Sequence, residues 1–238
     1  MPFRQADSDL RCEWGLHGLL HLLPESDAVV VVDVLSFSTA VDIAVENGAA
    51  ILPWRWKDDT AAQFAKEKSA LLAGSRRSWD PYSLSPASLR TIPRGSVLVL
   101  PSPNGSTLCC SANGVPTFTA CLRNAPAVAG HLERFSRVAV VPAGERWPDD
   151  SLRPSLEDWI GAGAVLSLLG GRRSPEADLA VAAFERFRSD LAGTLSRCGS
   201  GQELIERGFA CDVELAAEYA VSSAVPMLAG DRLVNCVS

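Results

Sequence analysis

Five short apolar runs, rich in β-branched residues, recur along the first 142 residues, and they are the feature that most limits the fold. They lie at residues 28–33, 50–53, 97–100, 117–121 and 138–142. Helix-like segments separate or follow them at 38–47, 59–72, 104–113 and 124–135. Such alternation is typical of βαβ units, whose strands form a largely parallel sheet covered on both faces. The runs VVVV and VLVL contain no polar residue, as expected for strands buried on both sides.

The rest of the chain has a different pattern. Residues 155–169, 175–195 and 202–219 read as mostly helical, and residues 75–93, rich in Ser, Pro and Arg, read as a long surface loop. We therefore predict a three-layer α/β/α fold with a mostly parallel or mixed sheet and a helical C-terminal part. Residues 1–238 are expected to form a single domain, with two intimately packed halves as the alternative.

Composition and charge exclude several classes of protein. The 238-residue chain has a formal net charge of −6, which opposes binding to nucleic acid. It has no apolar stretch near the roughly 20 residues of a membrane span and no basic and apolar leader, so we expect a cytoplasmic protein. Its seven cysteines include no C-x-x-C pair and indicate neither a disulfide framework nor a zinc site. The expected partner is a small molecule, and a homodimer is left open.

Polar residues follow four of the apolar runs, where open parallel sheets bind their ligands. One such residue is more often a turn or a helix cap than a site residue. Four occurrences in successive units favour a site at the ends of the strands. The residues are Asp33; Ser102, Asn104, Gly105, Ser106 and Thr107; Arg123 and Asn124; and Glu145 and Arg146.

The segment SPNGST, with Asn104, Gly105 and Ser106 at its centre, has two readings. A glycine at a strand-to-helix turn lets backbone N–H groups approach an anion, so the segment could cradle a phosphate. The alternative is a plain helix N-cap. A P-loop is excluded because the Gly-Lys-Ser/Thr ending is missing, and no G-x-G-x-x-G indicates a dinucleotide.

Four carboxylates are candidates for metal and acid–base chemistry: Asp33, Glu145, Glu157 and Asp158. Magnesium takes oxygen ligands and usually keeps several waters, so a few carboxylates with substrate oxygens are enough. Neighbouring residues of a helix point about 100° apart, so we expect only one of Glu157 and Asp158 to face the site squarely.

Several of these segments, in order, resemble the signature segments of the 2-phosphosulfolactate phosphatase family. They are VVVVDVLSFSTAV, ENGA, SPNGS, CLRNA, PAGERW, DDSLRPSLEDWIGAGAV and CGSGQELIERGFACDVELAAE. The resemblance runs from about residue 28 to the C-terminus. It implies a magnesium-dependent acid phosphatase that removes phosphate from 2-phospho-3-sulfolactate, a step toward coenzyme M.

The resemblance also implies functional roles for Asp33, Asn104, Asn124, Glu157 and Asp158. Combined with the chemistry of the residue types, it predicts Asp33, Glu145 and Asp158 as catalytic residues. Asp33, Glu157 and Asp158 are the predicted Mg²⁺ ligands. The predicted phosphate- and substrate-binding residues are Ser36, Ser102, Asn104, Gly105, Ser106, Arg123, Asn124, Arg146 and Arg153.

Two departures from the family pattern bear on the substrate. The family commonly has an Arg at the position of Ser36, and a Gly-Glu-Arg turn where this chain reads Gly74-Ser75-Arg76. These departures favour the alternative of a catalytically impaired phosphometabolite-binding homologue. A haloacid-dehalogenase-type phosphatase is disfavoured, because Leu35 stands where that class has its second Asp. Attack by metal-activated water is the favoured mechanism, and a covalent intermediate on Asp33 is the alternative.

Overall fold

The computed structural model describes residues 2–55, 59–74 and 80–237. The strands are β1 (Leu10–Cys12), β2 (Ala28–Val32), β3 (Ala50–Trp54), β4 (Leu71–Leu72), β5 (Val97–Pro101), β6 (Thr117–Ala120), β7 (Val138–Pro142), β8 (Glu145–Arg146), β9 (Leu152–Arg153), β10 (Pro226–Ala229) and β11 (Arg232–Asn235). The helices are α1 (Gly15–Leu22), α2 (Phe37–Glu46), α3 (Asp59–Glu67), α4 (Gly105–Cys110), α5 (Ala125–Leu132), α6 (Leu156–Leu166), α7 (Pro175–Phe187), α8 (Leu191–Arg197), α9 (Gly199–Glu206) and α10 (Ala210–Ala217). Each of the five apolar runs forms a strand, as predicted.

Strand β2 lies at the centre of two hydrophobic clusters. Val30 and Val32 pack into one cluster, with side chains from α5, α6 and α7. Val29 and Val31 pack into the other, with side chains from α1, α2 and α4. All four valines are fully buried. The alternation of β-strand side chains therefore places apolar groups on both faces, and the predicted three-layer α/β/α fold is confirmed.

The main sheet has nine strands in the order β1-β7-β2-β6-β10-β11-β3-β5-β4. The strands are parallel within the block β1-β7-β2-β6 and within the block β3-β5-β4. Between the blocks lies the hairpin of β10 and β11, which pairs antiparallel with β6 on one side and β3 on the other. The hairpin reverses one block relative to the other, so the sheet is mixed.

The carboxyl ends of β2 and β5 lie together although these strands belong to opposite blocks. The hydrogen bond from the Gly105 N–H, just after β5, to the Asp33 carboxylate, just after β2, shows this directly. In a flat sheet the five steps from β2 to β5 would separate the two strands by roughly 24 Å. The sheet is therefore curved as well as twisted, and both blocks contribute to one site.

The C-terminal part is helical, as predicted, with α6 to α10 preceding the hairpin. The predicted helix at 59–72 is wrong at its end, because α3 stops at Glu67 and β4 begins at Leu71. Ser69, with a φ of 50°, makes the turn between them. The predicted loop at 75–93 contains a 3-10 helix, Pro86–Thr91, while Ser75 and Arg76 lie outside the described residues. Across the described ranges, no helix combines the length and apolar character needed to span a membrane.

Candidate active site

Asp33 lies just past the end of β2, buried at 6% exposure. Its Oδ1 accepts a hydrogen bond from the Phe37 N–H at 3.1 Å, in the first turn of α2. Its Oδ2 accepts one from the Gly105 N–H at 3.0 Å, at the start of α4. The carboxylate thus connects the beginnings of two helices and has a fixed orientation.

Asp158 ties together two other loops at the same place. Its Oδ1 accepts from the Val34 N–H at 2.7 Å, and its Oδ2 accepts from the Gly144 N–H at 2.8 Å. Val34 follows β2 and Gly144 follows β7, so one carboxylate in the first turn of α6 holds both strand ends. The N-terminus of a helix stabilises negative charge, which favours acidic residues at this position.

Glu157, the neighbour of Asp158, is equally buried, at 2% exposure. Its Oε2 accepts a hydrogen bond from the Cys198 thiol at 3.4 Å. The expectation that only one of the two acids faces the site squarely stays a prediction. Each is enclosed by a different set of partners, yet the charge of Glu157 acts on both Asp33 and Glu145.

Glu145 begins the short strand β8 and is held by Asn104 from the other block of the sheet. The Asn104 side-chain amide donates to Glu145 Oε2 at 3.1 Å, and Asn104 Oδ1 accepts from Arg146 Nε at 3.3 Å. Asn104 is the N-cap of α4, but its side chain makes no capping hydrogen bond. The side chain of Asn104 therefore orients Glu145, which the capping interpretation does not explain.

Burial and neighbouring negative charges raise the pKa of Asp33, Glu145 and Asp158. Burial is the main cause for Asp33, whose pKa rises to about 6 against the lowering effect of the Phe37 and Gly105 N–H groups. Burial, and then the charges of Asp33 and Glu157, raise the pKa of Glu145 to about 7. Burial and the same two charges raise the pKa of Asp158 well above its usual range. The cluster is thus short of positive charge.

A cleft of about 180 Å³ opens onto this cluster. Asp33 and Glu145 line it, together with residues from both blocks of the sheet and from the C-terminal helices. The other lining residues are Leu35, Ser36, Leu84, Ser102, Pro103, Asn104, Ser200, Glu203, Leu204 and Arg207. Four of the predicted site residues outside the acids, Ser36, Ser102, Asn104 and the neighbouring Gly105, are thus brought to the same place.

Close packing explains why position 105 holds a glycine, which the sequence did not reveal. A Cβ at this position would overlap the Phe37 ring and lie 2.8 Å from Asp33 Oδ2. Its N–H is directed to Asp33, and the Ser106 hydroxyl donates to the Leu100 carbonyl at 2.9 Å. In the described structure both groups have protein partners, and their predicted contact with phosphate stays a prediction.

Arg123 and Asn124 are not brought to the cleft. Arg123 donates from Nε to Asp42 Oδ2 at 2.8 Å and also pairs with Glu46 and Glu218. Asn124 Oδ1 accepts from the Cys121 N–H at 2.9 Å, closing the turn after β6. These contacts hold α2 and the segment after α10 against β6, so both residues have structural partners away from the acid cluster.

Arg146 and Arg153 flank the cluster without lining the cleft. Arg146 pairs with Asp150 at 2.9 Å in addition to its bond to Asn104. Arg153 donates to the Ser200 hydroxyl at 3.0 Å, and its charge lowers the pKa of Glu145 against the dominant effect of burial. They surround the acids, so their predicted role in binding substrate anions remains open.

Sequence reasoning missed three polar residues of the cleft, Ser200, Glu203 and Arg207. All three come from α9 or its end, in the segment CGSGQELIERG, which carried the family resemblance. The segment itself was the available signal. Its helix-like pattern did not show which of its polar residues would reach the strand ends more than a hundred residues earlier in the chain.

The acids fit a hard divalent cation by the type of donor, because carboxylate oxygens are what Mg²⁺ prefers. Within the described ranges, no three carboxylate, imidazole or thiolate side chains converge to hold an ion by themselves. Magnesium commonly needs only one or two protein carboxylates, the remaining ligands being water and substrate oxygens. Asp33 is the predicted ligand that both belongs to the cluster and lines the cleft.

Comparison with known proteins gives a consistent result over most of the chain. A family model described as 2-phosphosulpholactate phosphatase matches residues 19–231. A probable 2-phosphosulfolactate phosphatase of Carboxydothermus hydrogenoformans is 35% identical over 211 residues, covering 85% of this chain and 86% of that protein. One of Thermus thermophilus is 32% identical over 219 residues, with 86% and 89% covered. The 2-phosphosulfolactate phosphatase of Methanothermobacter thermautotrophicus is 28% identical over 215 residues, with 88% and 91% covered.

Proposed function

The chain belongs to the 2-phosphosulfolactate phosphatase family, a family of phosphoric monoester hydrolases, and from this premise we propose that it hydrolyses 2-phospho-3-sulfolactate in a magnesium-dependent reaction. The products are sulfolactate and phosphate. One observation carries the proposal: Asp33 and Glu145 line a cleft of small-molecule size, and the charges of Asp33 and Glu157 raise the pKa of Glu145 and Asp158. A phosphatase of this type needs such an acidic centre at the scissile bond.

Magnesium dependence is supported by the shortage of positive charge among these acids. We assign the ion to Asp33, with Glu157 and Asp158 as the adjacent acids of the set. A bound divalent cation would offset the charge that develops on the attacking and leaving oxygens of phosphate hydrolysis. A bound cation would favour the ionised form of Asp33, whose pKa burial raises to about 6.

Glu145 is the residue we assign to proton transfer. The leaving oxygen of sulfolactate is a poor leaving group unless it receives a proton as the P–O bond breaks. Glu145 lines the cleft, is oriented by Asn104, and has a pKa of about 7, so that it carries a proton in a large fraction of molecules near neutral pH. General acid catalysis of this kind typically contributes about 10²- to 10⁴-fold.

Attack by water is favoured over a covalent intermediate on Asp33. Both carboxylate oxygens of Asp33 already accept backbone N–H bonds, at 3.0 and 3.1 Å, and these bonds reduce the electron density available for attack on phosphorus. The same bonds hold the carboxylate in one orientation beside the cleft. Asp33 therefore acts as a fixed negative group that binds and orients, and the water supplies the new P–O bond.

The test is hydrolysis of 2-phosphosulfolactate by the purified protein. Phosphate release is measured once with Mg²⁺ and once with EDTA. We expect turnover only with the metal, loss of turnover in Asp33→Asn, and a decrease of about 10²- to 10⁴-fold in kcat for Glu145→Gln. The matched control is Glu185→Gln, which changes an exposed glutamate of α7 paired with Arg188.

Two results would contradict the proposal in different ways. Unchanged turnover of the wild-type protein in EDTA would contradict the proposed magnesium dependence. Binding of 2-phosphosulfolactate without any hydrolysis, by the wild-type protein with Mg²⁺, would instead support a phosphometabolite-binding homologue, the alternative that Ser36 in the cleft favours.

A further inference from the structure

A substrate with several negative charges calls for a cation in the cleft, and the arginines predicted for this role, Arg123, Arg146 and Arg153, do not line it. Arg123 is held by Asp42, Glu46 and Glu218 away from the cleft. Among the described residues that line the cleft, Arg207 is the one with a permanent positive charge. It follows the last turn of α9, as the C-cap residue of that helix.

Arg207 makes an ion pair with an acid that lines the same cleft. Its Nη1 donates to Glu203 Oε1 at 2.7 Å, one turn earlier in α9. About half of each side chain is exposed, 48% for Arg207 and 58% for Glu203. Exposed pairs of this kind contribute little to stability, because water competes for both groups. Breaking this ion pair therefore costs little free energy, and the guanidinium is available to bind a carboxylate or a similar anionic group of a ligand.

The depth of the cleft indicates which part of a substrate Arg207 meets. Asp33, with its 6% exposure, lies at the bottom, where the phosphoryl group must reach the acids. Arg207 lies at the mouth, in contact with solvent. A substrate with its phosphate at the bottom therefore directs its other end toward Arg207.

We propose that Arg207 recognises the anionic group of the substrate that is not transferred, so that the enzyme selects small phosphate monoesters with a second carboxylate or sulfonate. This inference rests on the proposed phosphatase function and adds to it the residue that determines selectivity. The planar guanidinium matches carboxylate and sulfonate oxygens with two parallel hydrogen bonds. The Glu203 carboxylate pairs with the guanidinium where that anionic group would bind.

The experiment compares two esters of similar size, phosphoglycolate, which has a second anionic group, and ethyl phosphate, which lacks it. For Arg207→Met we expect KM for phosphoglycolate to rise about 10- to 100-fold, the loss expected for a charge-assisted hydrogen bond. KM for ethyl phosphate and kcat for both esters should change less than threefold. Arg207→Lys, which keeps the charge without the planar fork, should recover part of the loss.

Two further variants separate recognition from a general change in charge or folding. Arg197→Met removes an exposed arginine that pairs with Asp190 at the end of α8, outside the cleft, and should leave both esters unaffected. Glu203→Gln removes the competing carboxylate, so KM for phosphoglycolate should fall while that for ethyl phosphate changes little. A merely structural role for the ion pair would instead move both substrates together.

An equal effect of Arg207→Met on both esters, or none on either, would overturn the assignment of Arg207 while leaving the phosphatase function in place. If the wild-type protein hydrolyses neither these esters nor 2-phosphosulfolactate, the proposed function fails. Calorimetric binding of phosphoglycolate to wild type and Arg207→Met then still decides the role of Arg207, since unchanged affinity would overturn it and a loss of 10-fold or more would support it.

Discussion

Ionisation of Asp33 should make the folded protein less stable as pH rises, which is opposite to the usual behaviour of a paired carboxylate. The pKa of Asp33 is about 6 in the folded protein, against 3.8 for an ordinary Asp, mainly because of burial. The folded state therefore holds the proton more tightly than the unfolded state. Stability from the protonated group is fully present below pH 3.8 and is lost as pH rises through 6. The size of this loss is about 3 kcal/mol.

The measurement is the difference in unfolding free energy between wild type and Asp33→Asn, by urea denaturation in EDTA at several pH values from 4 to 7.5. Asparagine can accept only one of the two N–H bonds from Phe37 and Gly105, so the variant starts with a deficit of about 1–3 kcal/mol at pH 4. Between pH 4 and 7 the wild type should lose about 2.4 kcal/mol relative to the variant, since part of the full loss has already occurred at pH 4. Exposed Asp7→Asn is the control and should show no such change.

The change with pH, rather than the absolute difference at one pH, is the quantity that tests the reasoning. A difference that stays flat within about 0.5 kcal/mol would mean that burial does not raise the pKa of Asp33. A difference that grows in the other direction would mean that the ionised carboxylate is stabilised in the fold, for instance by its two N–H bonds outweighing desolvation.

Two further predictions concern the packing of Gly105 and the ion pair of Arg123. Gly105→Ala should lower the free energy of unfolding by about 1–3 kcal/mol, because the added Cβ would overlap the Phe37 ring. Gly130→Ala in α5 is the control: its Cβ would enter open space, so the change should be neutral or stabilising. Urea midpoints of both variants check this. Arg123→Met should lower the free energy of unfolding by about 3–5 kcal/mol, because it leaves Asp42 buried without its ion pair. The KM of the folded variant should match that of the wild type. A selective rise in KM would instead place Arg123 in the substrate site.

Much of the acid cluster was predictable because local patterns determine it. A buried β-strand ends where polar residues begin, and Asp33 and Glu145 follow runs that are apolar on both faces. The helix start at Glu157 and Asp158 is also a local signal, since acids are favoured in the first turn. Predicting these residues required only the assumption that the ends of the strands meet.

Arg123 and Asn124 do not line the cleft, although they follow β6 just as Asp33 follows β2. Strand-end position alone does not tell a site residue from a structural one. The difference depends on long-range partners, Asp42 of α2 and the segment after α10, which pairwise packing decides and sequence spacing does not show. The insertion of the β10–β11 hairpin into the centre of the sheet is of the same kind, because its neighbours β6 and β3 lie about 110 and 180 residues earlier.

Asp158 suggests how the fold tolerates so many buried acids in one place. Its two oxygens accept the N–H groups of Val34 and Gly144, so the carboxylate joins the loops that carry Asp33 and Glu145. Repulsion between the like charges opposes folding, whereas the backbone hydrogen bonds to Asp158 keep the loops that carry the acids together. Because these bonds fix the loops before any ligand binds, the acids need little rearrangement to act on a phosphate ester. The loss of stability on ionisation of Asp33 and the preorganisation of the cleft are thus two consequences of one arrangement.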